Sequence, residues 1–412
     1  MKYSTNDQRV QLPPPDGPLA AYIGPFCEWV GEQGYCADSL RQRIGIAIGF
    51  SQWVGRQALS PPSIDSRHCA RYLRYRARHH KPYTGDARAL SQFREFLLAR
   101  GAIMAVEPTP VRLTPVERCA QGFSRYLHEE RLLAAATVVN YVPFIGRFLK
   151  DRFGAGPVEL GKLRAADVMR FVRHEAPRLH LKRAKLLTTA LRSFLRYGCY
   201  RGEVAADLAT AVPVVANWSM PLIPRAIGPD QVRRVLSRID RRSGVGRRDY
   251  AILLLLARLG LRASEIVFLE LEDIDWEAGC LTVRGKGGRR TQLPLPKEVG
   301  DAIVEYLRRG RPRTSSRRVF LCASAPTRGL LGASTLCTIV RRALHRAGVE
   351  APTTGAHQFR HGLAVEMLRR GASLGEIGEL LGHRSPETTK LYTKVDLQAL
   401  RTLALPWPGG VR

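Results

Sequence analysis

The sequence predicts a mainly α-helical protein with one small antiparallel β-sheet in its C-terminal half, an α+β arrangement. Three observations predict it. Apolar residues recur at spacings of three and four through the first 212 residues, the signature of amphipathic helices. A glycine-rich tetrapeptide, Gly285-Lys286-Gly287-Gly288, sits between two short strand-like runs. Prolines cluster at two places, near Glu107-Pro108-Thr109-Pro110 and from Pro213 to Pro229, where helices break and a stiff connection is suited.

These breaks divide the chain into an N-terminal helical domain (1–110), a second helical domain (111–212), a linker (213–229) and a C-terminal domain (230–412). The first two look like distant copies. Block one reads Phe50-x-x-Trp53-Val54, Ile64, Tyr72-Leu73 and Phe93-x-x-Phe96-Leu97 before Arg100-Gly101. Block two reads Ile145-x-x-Phe148-Leu149, Leu160, Phe171-Val172 and Leu191-x-x-Phe194-Leu195 before Arg201-Gly202, an offset of 95 to 101 residues. The bland alternative is that any two helical bundles align this way. Trp53, Phe148 and Phe194 sit at helical spacing and are expected in cores. In the C-terminal block, helices are expected from Pro229 to Ile239, from Asp249 to Leu259 and from Ala263 to Leu269. Strands are expected over 280–284 and 291–295, with helices over 297–309, 333–347, 358–370, 373–381 and 386–391.

Composition narrows the function. The 412 residues carry a net charge of +29 and are 45% apolar and 25% charged, which is globular and not disordered. The excess is arginine, 55 against 10 Lys, and the planar guanidinium fork suits phosphate oxygens. Nucleic acid is the first partner to expect; an acidic membrane surface and an arginine-biased genome are the rivals. The charge is graded: +5 over 1–110, +9 over 111–224 and +15 over 225–412. The longest apolar run, Ala251 to Ala257, is far below the ~20 residues of a membrane span. The start of the chain has no signal-peptide core. Eight cysteines form no CxxC pair and no Cys/His cluster, and read as reduced core cysteines of a cytoplasmic protein.

Five stretches of the C-terminal block carry chemistry: Gly260-Leu261-Arg262-Ala263-Ser264-Glu265, the turn bearing Lys286, His357-Gln358-Phe359-Arg360-His361, Leu381-Gly382-His383 and Thr388-Thr389-Lys390-Leu391-Tyr392. Cleaving a phosphodiester without a metal needs a nucleophile, fixed cations for the charge that builds on phosphorus, and an acid for the leaving oxygen. Two arginines can grip the non-bridging oxygens, and histidines can manage a proton near neutral pH. A lysine on a hairpin tip can reach a leaving alkoxide. A tyrosine can hold a covalent phosphate ester that conserves bond energy for rejoining. Arg262, Lys286, His357, Arg360, His383 and Tyr392 supply this set. His357, Arg360 and His361 share one helix face. Glu265, three residues beyond Arg262, is placed to orient that guanidinium, a surface acid being the alternative. The glycines around Lys286 lack P-loop spacing and are explained by a hairpin turn.

In these motifs, ordered and spaced as they are, residues 225–400 resemble the catalytic domain of the tyrosine recombinases, the phage integrase family. The resemblance implies the tyrosine recombinase catalytic fold. It implies that Arg262 and Arg360 bind the scissile phosphate and that His357 and His383 hydrogen-bond it and assist proton transfer. Lys286 is then the general acid for the 5′-hydroxyl, and Tyr392 the nucleophile that forms a 3′-phosphotyrosyl intermediate. His361 supports the site by packing or hydrogen bonding. Family members often carry Leu where this chain has Phe359. No metal, cofactor or nucleotide energy source is expected. Block two resembles the family's helical core-binding domain, with Arg170, Arg173, Lys182, Arg183 and Lys185 as candidate DNA contacts, and block one is expected to be a second core-binding-like module. The implied activity is integration, excision or transposition of a mobile element. The implied partners are double-stranded recombination sites, a homo- or hetero-tetramer on synapsed DNA and sibling recombinases, in a cytoplasmic, nucleoid-associated, bacterial-type setting. A catalytically silent DNA-binding accessory protein and a type IB topoisomerase-like enzyme are the alternatives.

Overall fold

The computed structural model describes residues 2–5, 8–11, 14–81, 83–104, 113–204, 207–215, 226–285, 290–351, 353–382 and 389. The chain groups into two compact units. One joins Met1–Val106 with Pro221–Arg412, and the other is Glu107–Met220.

The first unit begins with an antiparallel hairpin, β1 (Lys2–Thr5) and β2 (Gln8–Gln11), a second sheet that the periodicity did not indicate. Helices α1 (Ala20–Glu32), α2 (Ala37–Arg56), α3 (Ser66–His79) and α4 (Asp86–Ala99) follow, with a 3-10 turn at Pro61–Ser63 between α2 and α3. Their apolar stripes meet in one core containing Phe26, Phe50, Trp53 and Phe93. Asp65 starts α3 by accepting from the backbone N–H groups of Arg67 at 2.8 Å and His68 at 3.0 Å, satisfying donors that a helix start leaves open. This block touches the C-terminal block of its own unit where the Thr327 N–H donates to the Gln33 carbonyl at 2.8 Å.

The second unit consists of α5 (Pro115–Glu129), α6 (Ala135–Phe153), α7 (Ala165–Glu175) and α8 (Leu181–Tyr200), with a 3-10 turn at Leu160–Lys162 between α6 and α7. Thr114 and Glu117 cap α5 reciprocally: the Thr114 N–H donates to Glu117 Oε2 at 2.8 Å and the Glu117 N–H to Thr114 Oγ1 at 3.2 Å. Phe123, Phe148 and Phe194 are buried in the core of this unit.

The C-terminal block runs α9 (Pro229–Ser237), α10 (Gly244–Arg258), α11 (Ala263–Val267), β3 (Ile274–Asp275), β4 (Cys280–Arg284), β5 (Arg290–Pro294), α12 (Lys297–Arg309), α13 (Ala333–Arg346), α14 (His357–Arg369) and α15 (Leu374–Leu380). The three strands form one antiparallel sheet in the order β3-β4-β5, with Leu281 opposite both Ile274 and Leu293. Helix α10 is the axis of this core: Ala251 through Leu256 are all fully buried. Burying one such leucine stabilises the fold by about 1.5–3 kcal/mol, so the apolar run is explained by packing.

Three details depart from expectation. Helix α10 begins at Gly244, five residues before the expected start at Asp249, because Ser243 Oγ accepts from the Gly246 N–H at 3.0 Å and caps a first turn, Gly244-Val245-Gly246-Arg247, that has no apolar periodicity. Strand β3, two residues long, is too short to show a period of two. The cysteines are unpaired, but Cys27 alone is buried, and Cys36 and Cys199 are exposed. Burial pushes the Cys27 thiol up to about 11. No helix among the described residues is long and apolar enough to cross a membrane. The expected helix over 386–391 and the tail beyond it lie outside the described residues, apart from Thr389, which is helical and buried.

Candidate active site

The site is built where α10 ends, where α14 begins and where the chain leaves α15. Helix α10 is stopped by Gly260, whose φ is +58°, a left-handed conformation that favours glycine. Space also demands glycine here. A Cβ would lie 2.8 Å from Leu381 Cδ2, 3.1 Å from Leu363 Cδ2 and 3.7 Å from Arg360 Cγ. The bare backbone lets Arg360 pass close, and its Nη1 donates to the Gly260 carbonyl at 2.7 Å. Its Nη2 donates to the Leu381 carbonyl. Arg360 is only 6% exposed, so two backbone carbonyls fix a buried guanidinium.

Arg262 caps α11 from two residues beyond that glycine. The Glu265 carboxylate accepts from the Arg262 backbone N–H at 2.7 Å and, through its other oxygen, from Arg262 Nη1 at 2.7 Å. Arg262 Nη2 donates to the Gly382 carbonyl at 3.1 Å. Glu265 is buried, while the Arg262 side chain remains about one-third exposed, at 34%. The acid therefore holds one end of the guanidinium and the Gly382 carbonyl the other, while the side chain stays partly accessible. Arg262 and Arg360 thus converge on two consecutive carbonyls, Leu381 and Gly382, immediately before His383 in the sequence.

His357 is the first residue of α14 and is exposed; Arg360 and His361 follow on the same helix. Burial pushes the His361 imidazole below its ordinary range, and the nearby charges of His357 and Arg360 push it the same way. Phe359 faces the core at 1% exposure, where the volume of an aromatic ring is simply packed. Gln358 is fully buried, and its side-chain amide finds no hydrogen-bond partner among the described residues. Periodicity did not single it out, since polar residues at a helix start are usually solvated.

Lys286, His383 and Tyr392 lie outside the described residues. What the structure shows near Lys286 is the base of its hairpin. Arg284, at the end of β4, donates to Glu270 at 2.6 Å and to Asp273 at 3.1 Å, which ties the strand to the turn at Leu271–Asp273. Near Tyr392, the hydroxyl oxygen of Thr389 packs against Gly378 of α15, 3.1 Å from where a Cβ would stand.

The candidate DNA contacts lie on α7 and α8 of the second unit. Arg170, Arg173, Lys182 and Arg183 are exposed and Lys185 is half-buried. Arg170 is paired with Asp167 at 3.0 Å. Arg183 donates to Asn140 Oδ1 at 3.3 Å and stands 5.0 Å over the Phe144 ring. The first turn of α8 carries cations and no acid. That arrangement costs about 0.3–1 kcal/mol per charge against the helix dipole, a cost that a bound anion offsets.

Comparison with known proteins agrees with this architecture. The model of the phage integrase family matches residues 225–399. The chain is 53% identical over 409 residues to "Putative integrase/recombinase y4rA" of Sinorhizobium fredii, covering 99% of each sequence. It is 32% identical over 307 residues to the tyrosine recombinase XerD of Mycobacterium tuberculosis, covering 70% of this chain and 96% of the relative. Among solved structures, the XerH site-specific recombinase bound to its palindromic difH substrate has the same fold, with a TM-score of 0.56 and 20% identity over 82% of this chain and 94% of that one. The chain belongs to the phage integrase family, the site-specific tyrosine recombinases, and is a DNA-recombining enzyme.

Proposed function

We propose that this recombinase cuts and rejoins duplex DNA through Tyr392, with Arg262, Lys286, His357, Arg360 and His383 as its catalytic partners, and that it integrates, excises or transposes a mobile element. The observation that carries the assignment is the convergence of Arg262 and Arg360 on the Leu381 and Gly382 carbonyls. Two guanidiniums held by backbone and by Glu265 cannot swing away when charge develops on a phosphate between them, and such preorganised donors lower the barrier most.

The chemistry follows. Tyr392 Oη attacks phosphorus, and its proton passes to a site histidine. The bond from phosphorus to the 5′ oxygen breaks as the bond to tyrosine forms. Lys286 gives the departing 5′ oxygen its proton. The 3′-phosphotyrosyl ester then accepts attack by a 5′-hydroxyl from another strand, and the same groups act in reverse. Residues 111–212 clamp the duplex through Arg170, Arg173, Lys182, Arg183 and Lys185. The XerH structure, a post-cleavage complex on a palindromic substrate, supports recognition of a recombination site in duplex DNA. The synaptic assembly proposed for this chain is a tetramer, formed alone or with sibling recombinases. A DNA-processing role places the protein in the cytoplasm with the nucleoid.

The test is direct. Incubation with duplex carrying the recombination site is expected to give a covalent protein–DNA adduct that Tyr392→Phe abolishes. An adduct that persists in the Phe variant assigns the nucleophile elsewhere.

A further inference from the structure

The N-terminal block repeats the helical order of the second unit, apart from its own β1–β2 hairpin and a 3-10 turn at Ala176–Arg178 that only the second unit has. Each has four helices with a 3-10 turn between its second and third, at Pro61–Ser63 and at Leu160–Lys162, 99 residues apart. The repeat extends to side-chain geometry. Trp53 and Tyr72 meet at 5.9 Å and 54°, and their counterparts Phe148 and Phe171 at 5.2 Å and 61°. It also extends to the last cap. The Ala102 N–H donates to Leu97 and the Gly101 N–H to Leu98, at 2.9 and 3.0 Å. The Glu203 N–H donates to Gly198 and the Gly202 N–H to Cys199, at the same 2.9 and 3.0 Å. Gly101 and Gly202 have φ of +67° and +69°. Glycine caps of this kind also close α13 and α14, so it is the shared order of ring pair, turn and cap, and not the cap by itself, that supports the repeat.

Within this repeat, Arg71-Tyr72-Leu73-Arg74 on α3 aligns at 99 residues with Arg170-Phe171-Val172-Arg173 on α7. The aromatic and aliphatic residues of both are core or core-packed. The flanking arginines are exposed in both. On α3 the face is longer: Arg67, Arg71, Arg74 and Arg78 are all exposed and fall within an arc of about 60° at 3.6 residues per turn. None of the four is paired with a carboxylate among the described residues. Arg76, on the opposite side of the helix, is paired with Asp86 at 3.1 Å and ties α3 to α4.

Charge separates this face from a general arginine bias. Residues 1–110 hold 14 basic and 9 acidic groups. Six of the basic groups and none of the acidic ones fall in residues 66–85, which leaves 8 against 9 elsewhere. The net positive charge of the block is therefore concentrated on one helix and its exit. The stripe from Arg67 to Arg78 is ~16 Å long, the rise of about five base pairs of a duplex.

We propose that Arg67, Arg71, Arg74 and Arg78 on α3 form a second duplex-DNA-binding surface, the counterpart in the N-terminal module of Arg170 and Arg173, and that they contact backbone phosphates without reading bases. The proposal rests on the recombinase reading for the choice of duplex DNA as the polyanion. It makes the N-terminal module a second clamp that lengthens the stretch of DNA each protomer covers.

The experiment uses the full chain and a long linear duplex of mixed sequence, with binding measured against salt. Replacing all four by glutamine (R67Q/R71Q/R74Q/R78Q) is expected to reduce the steepness of log K against log salt by about 3 to 4, since each phosphate contact contributes about 0.9. The corresponding lysine variant keeps the charge and is expected to keep the steepness, which separates charge loss from misfolding. An unchanged slope in the glutamine variant, with a reduced slope in R170Q/R173Q, overturns the second surface and leaves the α3 face as a solvated one. The covalent adduct of the wild-type chain is scored separately. Adduct with an unchanged slope keeps the recombinase reading and removes this surface. A lowered slope without adduct keeps the surface and removes the reading.

Discussion

Gly260 has two jobs, both physical. Its positive φ ends α10, and its missing side chain admits the Arg360 stem. Gly260→Ala is expected to lower stability by about 1–3 kcal/mol, from the strained φ and the contact with Leu381, and to slow adduct formation more than it weakens DNA binding. Denaturant unfolding and single-turnover cleavage measure the two effects. In the proposed mechanism Glu265 is a positioning residue, since its carboxylate is engaged by Arg262. Glu265→Gln is expected to slow cleavage about tenfold to a hundredfold, equivalent to about 1.4–2.7 kcal/mol of barrier, while duplex affinity stays near wild type. An equal loss in affinity would make its role structural. His361 gives a pH dependence with a defined sign. Its folded pKa lies below the ordinary histidine value, so the unfolded chain binds its proton first as pH falls. The stabilisation is complete above the ordinary value and is lost as pH falls from there through the lower folded pKa. The melting temperature is expected to fall less over that window in His361→Gln than in wild type.

At the scale of elements, the C-terminal block is organised by α10, and Leu254→Ala at its fully buried centre is expected to cost about 2–5 kcal/mol by chemical denaturation. Most elements were legible in the sequence for a common reason: a half-buried helix repeats its apolar residues every three or four positions. The expected helix over 297–309 coincides with Lys297–Arg309, and the expected strand over 280–284 with Cys280–Arg284. The misses share a cause too. The first turn of α10 and the two residues of β3 are held by a serine cap and by ladder hydrogen bonds to β4, and neither leaves a periodic apolar trace. The candidate site was legible as a list of residue types at ordered spacings. The Arg262–Glu265 pairing was also readable, because three residues on a helix start bring a carboxylate back to the cap. The seating of Arg360 on Gly260 was not readable, since the two are 100 residues apart in sequence.

The whole molecule carries +29, and its use is a property of assembly on a polyanion. DNA affinity is expected to fall steeply with salt, in proportion to the phosphates neutralised, and a flat salt titration would detach the charge from DNA binding. The charge is not spread evenly over this surface. Some arginines are spent on structure: Arg248 is buried against Asp249 at 2.7 Å, and Arg311 donates to the carbonyls of Ser316 and Arg318 at 2.6 and 2.9 Å. Others, such as the α3 stripe, stand exposed and free of carboxylates among the described residues. Composition alone counts both kinds alike, and only burial distinguishes an internal brace from a cation available to a phosphate.

By itself the sequence determined the α+β class, the positions of most helices and the family, and it offered an ordered set of candidate catalytic side-chain types. These are encoded locally, in periodicity and in motifs of a few residues. The tertiary structure decided which arginine is buried and which is offered, that Arg262 and Arg360 meet at one turn, and that a ring pair and a glycine cap recur in the same order in both helical blocks. Such facts depend on distances between residues tens of positions apart, and those distances exist only once the cores have packed.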